Sequence, residues 1–248
     1  MRAQAVQHLL MGGQACVLYG AAEFSRDADL AIVAEPENLE RLRRAFDQLD
    51  ARVIAVPPFE AAYLERGHAV HVQCGRDDVR GLHIDVMARM RGVDPFPALW
   101  ARRTTVELAA DPDETTGALT IDVLSLPDLV AAKKTQRDKD WPMIRRLVET
   151  NYLAFREQAT ASRVQFWLRE LRTVELLLEC ATAFPSEAAS LAGLRPAVGA
   201  ALAKDQAPIE AALAAEQAAE RERDRAYWAP LRAELEHLRR SAGHHPPR

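Results

Sequence analysis

The segment Phe24-Ser25-Arg26-Asp27-Ala28-Asp29-Leu30 leads into an apolar run and predicts a β-strand from Asp29 to Val33. Side chains alternate between the two sides of a strand, so Asp27 and Asp29 are expected on the same side at its start. Paired carboxylates of this kind suit hard divalent cations. The same spacing also occurs as two solvated carboxylates at a strand start, so the neighbouring sequence has to distinguish the two interpretations.

A glycine pair, Gly12-Gly13, stands at the end of a predicted strand from His8 to Met11 and before a predicted helix from Ala15 to Tyr19. Without side chains, the backbone N–H groups of such a pair can approach phosphate oxygens, and a helix N-terminus favours negative charge. The alternative is a tight turn between a strand and a helix. Together with the Asp-x-Asp segment, the pair favours a phosphate site.

A third aspartate, Asp85, lies inside the otherwise apolar run Leu82-His83-Ile84-Asp85-Val86-Met87. A charged group in an apolar strand is costly unless it has a partner, and a metal ion would be one. His83 is on the same side of this strand and is expected to pack or hydrogen-bond beside the site. Zinc binding by His68, His71 and Cys74 is not expected, because odd spacings place successive candidates on opposite sides of a strand.

The N-terminal half mixes strands and helices, which predicts the α+β class, a mixed sheet flanked by helices. Pro36 begins an amphipathic helix, and the strands His68 to Cys74 and Leu82 to Met87 are expected to pair antiparallel across the turn at 75–78. A helix from Phe96 to Arg102 and a strand from Leu119 to Leu124 follow. After Ser162 only helical patterns remain, and Pro230 is expected to kink or end the last helix.

Ser125-Leu126-Pro127-Asp128 has the pattern of a capping box and predicts that a helix starts there. The chain has four lysines, and three of them fall in the following segment, Lys133-Lys134-Thr135-Gln136-Arg137-Asp138-Lys139. Lys133 and Arg137 are four residues apart and are predicted to share a helix face from which both could reach a phosphate. An exposed basic helix face is the other interpretation.

This order of motifs resembles the DNA polymerase beta-like nucleotidyltransferase superfamily, in particular its compact bacterial branch, which includes abortive-infection, toxin-type enzymes. The resemblance covers about residues 8 to 150. It implies that Asp27, Asp29 and Asp85 are catalytic and bind two Mg²⁺ ions, for which Mn²⁺ could substitute. It also implies a nucleoside triphosphate (NTP) contacted by further residues, which are Gly12, Gly13, Arg26, Lys133 and Arg137.

The implied activity is transfer of a nucleoside monophosphate (NMP) to a hydroxyl of an RNA, a protein or a small molecule, in a toxin–antitoxin or phage-defence setting. Two departures leave an alternative open, a degenerate protein that uses the fold for binding or regulation. Glu23 stands where many members have Arg, and Gly20 is followed by Ala21 where other branches have Ser. A third hypothesis makes the charged helix from Ala211 to Arg225 a surface for a partner protein.

The expected division is a nucleotidyltransferase domain at 1–158, a helical domain at 159–240 and a disordered tail at 241–248. The net charge of -4 shows no basic block, so composition neither proposes nor excludes a nucleic-acid substrate. The three cysteines form no C-x-x-C pair, which suits reduced thiols. With no signal peptide pattern and no long apolar run, a cytoplasmic protein without a membrane partner is expected.

Overall fold

A computed structural model of the chain describes residues 1–22, 24–108 and 119–241. In these ranges seven strands form one mixed sheet with helices beside it, which confirms the α+β class. The strands are β1 (His8–Met11), β2 (Ala28–Ile32), β3 (Arg52–Val53), β4 (Val70–Gln73), β5 (His83–Met87), β6 (Thr104–Leu108) and β7 (Leu119–Val123).

The strand order is β3-β4-β5-β2-β1-β7-β6, so β2, which carries the Asp-x-Asp segment, is at the centre of the sheet. It pairs antiparallel with β1 and parallel with β5. The β4–β5 pairing is antiparallel, as predicted, and β1 pairs parallel with β7. The glycine pair at the end of β1 therefore lies beside the start of β2.

The described helices are α1 (Gly12–Leu18), α2 (Pro36–Gln48), α3 (Ala61–Arg66), α4 (Phe96–Ala101), α5 (Leu126–Ala132), α6 (Asp140–Phe155), α7 (Ala161–Glu170), α8 (Val174–Ala183), α9 (Pro185–Ala192), α10 (Pro196–Leu202) and α11 (Gln206–Ser241). Among them, none is both long and apolar enough to cross a membrane.

Helix α2 covers one face of the sheet, as its pattern predicts. Pro36 is at its first turn, and the apolar side chains that recur along one side are buried, among them Leu39, Leu42 and Phe46. They pack in one core cluster with alternate residues of the central strands, such as Leu30 and Val86. Because side chains alternate along a strand, the residues between these core positions belong to the opposite face.

Helix α5 begins at the predicted capping box. The Ser125 hydroxyl donates to the Asp128 carboxylate over 2.6 Å, and the Asp128 backbone N–H points back at the same hydroxyl over 3.4 Å. The helix ends at Ala132, however, so the expectation that Lys133 and Arg137 share a helix face is wrong. Both lie in the connection that leads to α6.

Contacts along the chain group it into two compact units. The first unit comprises Met1–Ala132 and the chain from Tyr227 onward, and the second unit comprises Lys133–Ala226. This grouping differs from the expected division at 158 and 159. The expected tail lies outside the described residues from position 242 onward.

Helix α11 continues through Pro230, so of the two outcomes expected for this proline, a kink or an end, the end of the helix is wrong. A proline inside a helix removes one backbone hydrogen bond and crowds the preceding turn. Here the side chains of Asp224, before the proline, and Leu231, after it, are both buried. Burial on both sides of the proline outweighs the local cost.

Candidate active site

The face of the sheet opposite α2 carries a group of polar side chains at its centre. Asp29 lies on β2, His71 and Gln73 lie on β4, and His83 and Asp85 lie on β5. Each alternates with a core residue, since Leu30, Val72, Ile84 and Val86 belong to the buried cluster on the α2 side. The strand pattern thus directs all five polar side chains to one face.

Asp29 and Asp85 are direct neighbours across the β2–β5 pair, where their Cα positions match in parallel register. Residues in matching register point to the same side, so the two carboxylates are adjacent. The Asp85 side chain is 31% exposed, which leaves an open approach to the pair. Two adjacent carboxylates repel each other unless a cation or a proton joins them.

The backbone at Gly12 lies closer to the Asp29 side chain than a residue with a Cβ atom would allow. Its φ is +66°, and a Cβ atom built there would lie 1.8 Å from Asp29 Oδ2. The Gly13 backbone N–H points at the same carboxylate oxygen, with an N–O distance of 3.4 Å. The glycine pair and the second aspartate of Asp-x-Asp therefore form one compact structure.

A second set of contacts joins Gly13 and Gln14, at the start of α1, to Ser25, which precedes β2. A Cβ atom on Gly13 would lie 2.3 Å from the Ser25 hydroxyl, and the Gln14 side-chain amide donates to the Ser25 carbonyl over 2.6 Å. The Ser25 hydroxyl in turn donates to the Asp27 carbonyl over 3.3 Å. The approach to Asp-x-Asp is thus held in place by the start of α1.

Asp27 is the more exposed of the two Asp-x-Asp carboxylates, with 59% of its side chain accessible. Its Oδ1 atom lies 3.8 Å from His83 Nδ1. The other ring nitrogen of His83, Nε2, lies 2.9 Å from Gln73 Nε2. Arg26 is exposed and forms no side-chain hydrogen bond or ion pair with the other described residues. Glu23, the departure from the family pattern, lies outside the described residues.

His71 is the site residue that the sequence analysis missed, since it was considered there only for zinc. Its Nδ1 atom lies 2.7 Å from Asp85 Oδ1, and because an ionised carboxylate can only accept, Nδ1 carries the proton. This hydrogen bond raises the pKa of His71 above its ordinary value, and burial opposes the shift. His71 therefore fixes the orientation of the Asp85 carboxylate.

The register that joins His71 to Asp85 depends on the length of the β4–β5 loop. Backbone hydrogen bonds pair Cys74 with Leu82 at the end of the hairpin, and a 3₁₀ turn at Asp77–Val79 fills the loop between them. These are the predicted ends of the two strands, and pairing Cys74 with Leu82 places His71 opposite Asp85.

Lys133 and Arg137 belong to the second unit, where both contact the buried carboxylate of Asp140. Lys133 Nζ lies 3.4 Å and Arg137 Nε 2.8 Å from its oxygens, and Thr135 donates to it as well. Burial raises the pKa of Asp140, but the two cations and Thr135 outweigh burial and leave the pKa below its ordinary value. Lys133 is nearly buried in this cluster, whereas Arg137 is largely exposed.

No protein-family model matches the sequence, no curated protein matches it, and no solved structure matches the fold. The resemblance to nucleotidyltransferases therefore depends on the motifs and on the geometry of the site. Within the described residues, no three His, Cys, Asp or Glu side chains form a ready metal-binding group.

The donor set suits a hard divalent cation. Asp29 and Asp85 offer adjacent carboxylate oxygens, Asp27 precedes them on the exposed approach, and such oxygens are the ligands that Mg²⁺ and Mn²⁺ prefer. The glycine pair lets the backbone lie against Asp29, whose carboxylate occupies the place that a Gly12 Cβ atom would take. The arrangement can hold a cation between the carboxylates of Asp29 and Asp85.

Proposed function

We propose that this chain is a metal-dependent nucleotidyltransferase that moves an NMP from an NTP to a hydroxyl group of an acceptor. The observation that carries the proposal is the register match of Asp29 and Asp85, with Gly12 in close contact with Asp29. Carboxylates on adjacent strands beside a glycine turn are suited to a metal–triphosphate complex.

In this proposal Asp27, Asp29 and Asp85 bind the metal ions, and Gly12 and Gly13, which lie against Asp29 and Ser25 and carry no side chains, contact the triphosphate through their backbone. Bound Mg²⁺ would neutralise the charge that develops on the triphosphate. Exposed Arg26, next to Asp27, can contact the triphosphate from the rim. His71 keeps Asp85 in one orientation through the 2.7 Å hydrogen bond.

The reaction exchanges a phosphoanhydride bond of the α-phosphorus for a phosphoester bond to the acceptor. The acceptor hydroxyl oxygen attacks the α-phosphorus, and the bond from that phosphorus to the bridging oxygen breaks, releasing pyrophosphate. Asp85 takes the hydroxyl proton, since it lies on the exposed face and its position is fixed by His71. RNA, protein and small-molecule acceptors all offer such a hydroxyl. The setting that we propose for the activity is a toxin–antitoxin or defence system.

A degenerate binding protein is the second candidate, and one observation favours it. Lys133, a candidate for contacting the triphosphate, is nearly buried and occupied by Asp140. A cation engaged in this way stabilises the second unit and is not available to a ligand without breaking the pair. Retention of all three aspartates supports catalysis instead.

The test is incubation with each of the four α-labelled NTPs and Mg²⁺, with total RNA and cell lysate as acceptors. Asp29→Asn is compared with Asp47→Asn, because Asp47 is exposed on α2 and its side chain pairs with no described residue. Transfer by the wild type and by Asp47→Asn, but not by Asp29→Asn, supports the proposal and identifies the acceptor class. No transfer, together with no NTP-dependent thermal stabilisation, favours the degenerate protein.

A further inference from the structure

The second unit contains a cavity of about 580 Å³ whose lining is rich in arginine, here called the arginine pocket. Its cationic side chains come from α6, from the α7–α8 connection and from α11, and they are Arg145, Arg146, Arg172 and Arg221. Trp141 forms part of the wall, and the acidic side chains in the lining are Asp138 and Glu149. With four cations against two anions, the lining has an excess of positive charge.

Arg172 is the least exposed cation of this pocket, with 8% of its side chain accessible. Its only described ion pair is with Glu216, over 3.8 Å, and its Nε atom has no hydrogen-bond partner among the described residues. Glu216 is already bound by Arg195, whose Nε and Nη2 atoms approach its oxygens to between 3.0 and 3.3 Å. Arg172 is therefore a buried guanidinium with an unsatisfied donor that shares Glu216 with Arg195, and the charges of Glu170 and Glu220 also act on it.

Two further arginines have unused donors in the lining. Arg221 pairs with Asp138 over 2.8 Å, but its buried Nε atom has no hydrogen-bond partner in the part of the chain that the structure describes. Arg146 is exposed and forms no side-chain hydrogen bond or ion pair with another described residue. Arg145 differs, since its Nε donates to Glu149 over 2.9 Å. Unsatisfied buried donors are rare in proteins and call for a partner.

Trp141 holds two of these arginines in fixed positions. Its ring is 4% exposed, and the guanidinium carbons of Arg172 and Arg221 lie 4.8 Å and 5.8 Å from its centroid. The indole N–H donates to the Thr135 carbonyl over 2.9 Å, which fixes the ring. A guanidinium placed in this way is preorganised to donate to an oxyanion.

We propose that the arginine pocket binds the phosphate groups of a nucleotide, either free or as part of an RNA strand. Planar guanidinium groups match the oxygens of a phosphate, and the exposed guanidinium of Arg146, with Arg172 and Arg221 in the same lining, can donate to them. The volume exceeds that of one phosphate and is in the range of small-molecule sites. All of its lining residues belong to the second unit, and none of them is a residue of the candidate active site.

The test is calorimetric titration with inorganic pyrophosphate in EDTA, so that a metal-dependent site in the first unit contributes nothing. Arg146→Gln is the main variant, because Arg146 is exposed and its loss should leave the fold intact. Arg169→Gln is the matched control, since Arg169 is also exposed and lies on α7 outside the pocket lining. Arg172→Lys, checked by circular dichroism, keeps the buried charge and removes the planar donors.

The wild type and Arg169→Gln should bind pyrophosphate equally, and Arg146→Gln and Arg172→Lys should each bind roughly tenfold more weakly. No binding by the wild type, or equal weakening by Arg169→Gln, would overturn the proposal. Titrations with AMP and with 5′-phosphorylated and 5′-hydroxyl forms of one RNA oligomer show whether the bound phosphate belongs to a free nucleotide or to an RNA strand. Tighter binding of the phosphorylated oligomer than of AMP indicates RNA, and equal binding indicates a free nucleotide.

Discussion

Replacement of Gly12 by alanine should destabilise the protein and remove metal-dependent nucleotide binding, because two costs coincide at this position. The φ of +66° is left-handed, which costs an L-residue about 1–2 kcal/mol. The new Cβ atom would also lie 1.8 Å from Asp29 Oδ2 and 2.3 Å from its Cγ, so the carboxylate must move. Forced rearrangement of this kind adds about 1–3 kcal/mol, for a total of about 2–5 kcal/mol.

Gly92→Ala is the matched control for this change. Gly92 has a similar φ of +71°, but a Cβ atom there meets nothing within 4 Å. The free energy of unfolding of the control should therefore fall by only about 1–2 kcal/mol, the cost of the left-handed backbone. It should also keep nucleotide binding, since it leaves Asp29 in place.

Urea unfolding of both variants gives the two free energies, and titration of an NTP in the presence of Mg²⁺ gives the binding. The difference between the variants isolates the clash with Asp29 from the backbone cost. If Gly12→Ala were no less stable than Gly92→Ala and bound the nucleotide normally, the close approach to Asp29 would have no role in the site.

Three further predictions concern stability. Asp140→Asn should lower the free energy of unfolding by about 3 kcal/mol at neutral pH. The folded protein holds the pKa of Asp140 below its ordinary value of 3.8. Urea unfolding should therefore show the full difference between variant and wild type above pH 3.8 and a smaller difference below it. Pro230→Ala should raise the melting temperature, since a proline in a helix interior costs about 3 kcal/mol relative to alanine; an unchanged or lower melting temperature would contradict this. Arg195→Met should lower the free energy of unfolding by about 3–5 kcal/mol in urea, because the Leu168 and Leu171 carbonyls and the Glu216 carboxylate lose the hydrogen bonds that Arg195 donates. A decrease below about 1 kcal/mol, roughly that of a surface change, would contradict this.

The central features of the first unit could be predicted from local patterns. Alternation placed Asp29 and Asp85 on strands, and the capping box at Ser125 located the start of α5. The amphipathic pattern after Pro36 identified the helix that covers one face of the sheet. Each of these signals depends only on residues close together in the sequence, and the structure retains them.

Other features depend on contacts that no local pattern contains. The pairing of His71 with Asp85 follows from the exact length of the β4–β5 loop, and a change of one residue would turn His71 to the other face. Helix α5 ends at Ala132 where Lys133 and Arg137 turn towards Asp140. The edge strand β6 was not predicted, and its residues are only partly buried or exposed, so its composition gives a weak signal.

Mn²⁺ binding measured by electron paramagnetic resonance, with a non-hydrolysable NTP analogue, shows whether Asp27, Asp29 and Asp85 form a metal–nucleotide site. The variant is Asp85→Asn, and the control is Asp47→Asn on the exposed face of α2. The wild type and the control should bind Mn²⁺ in an analogue-dependent way, and Asp85→Asn should lose this binding. Binding that Asp85→Asn leaves unchanged, or no Mn²⁺ binding by the wild type, would contradict a metal–nucleotide site at these aspartates.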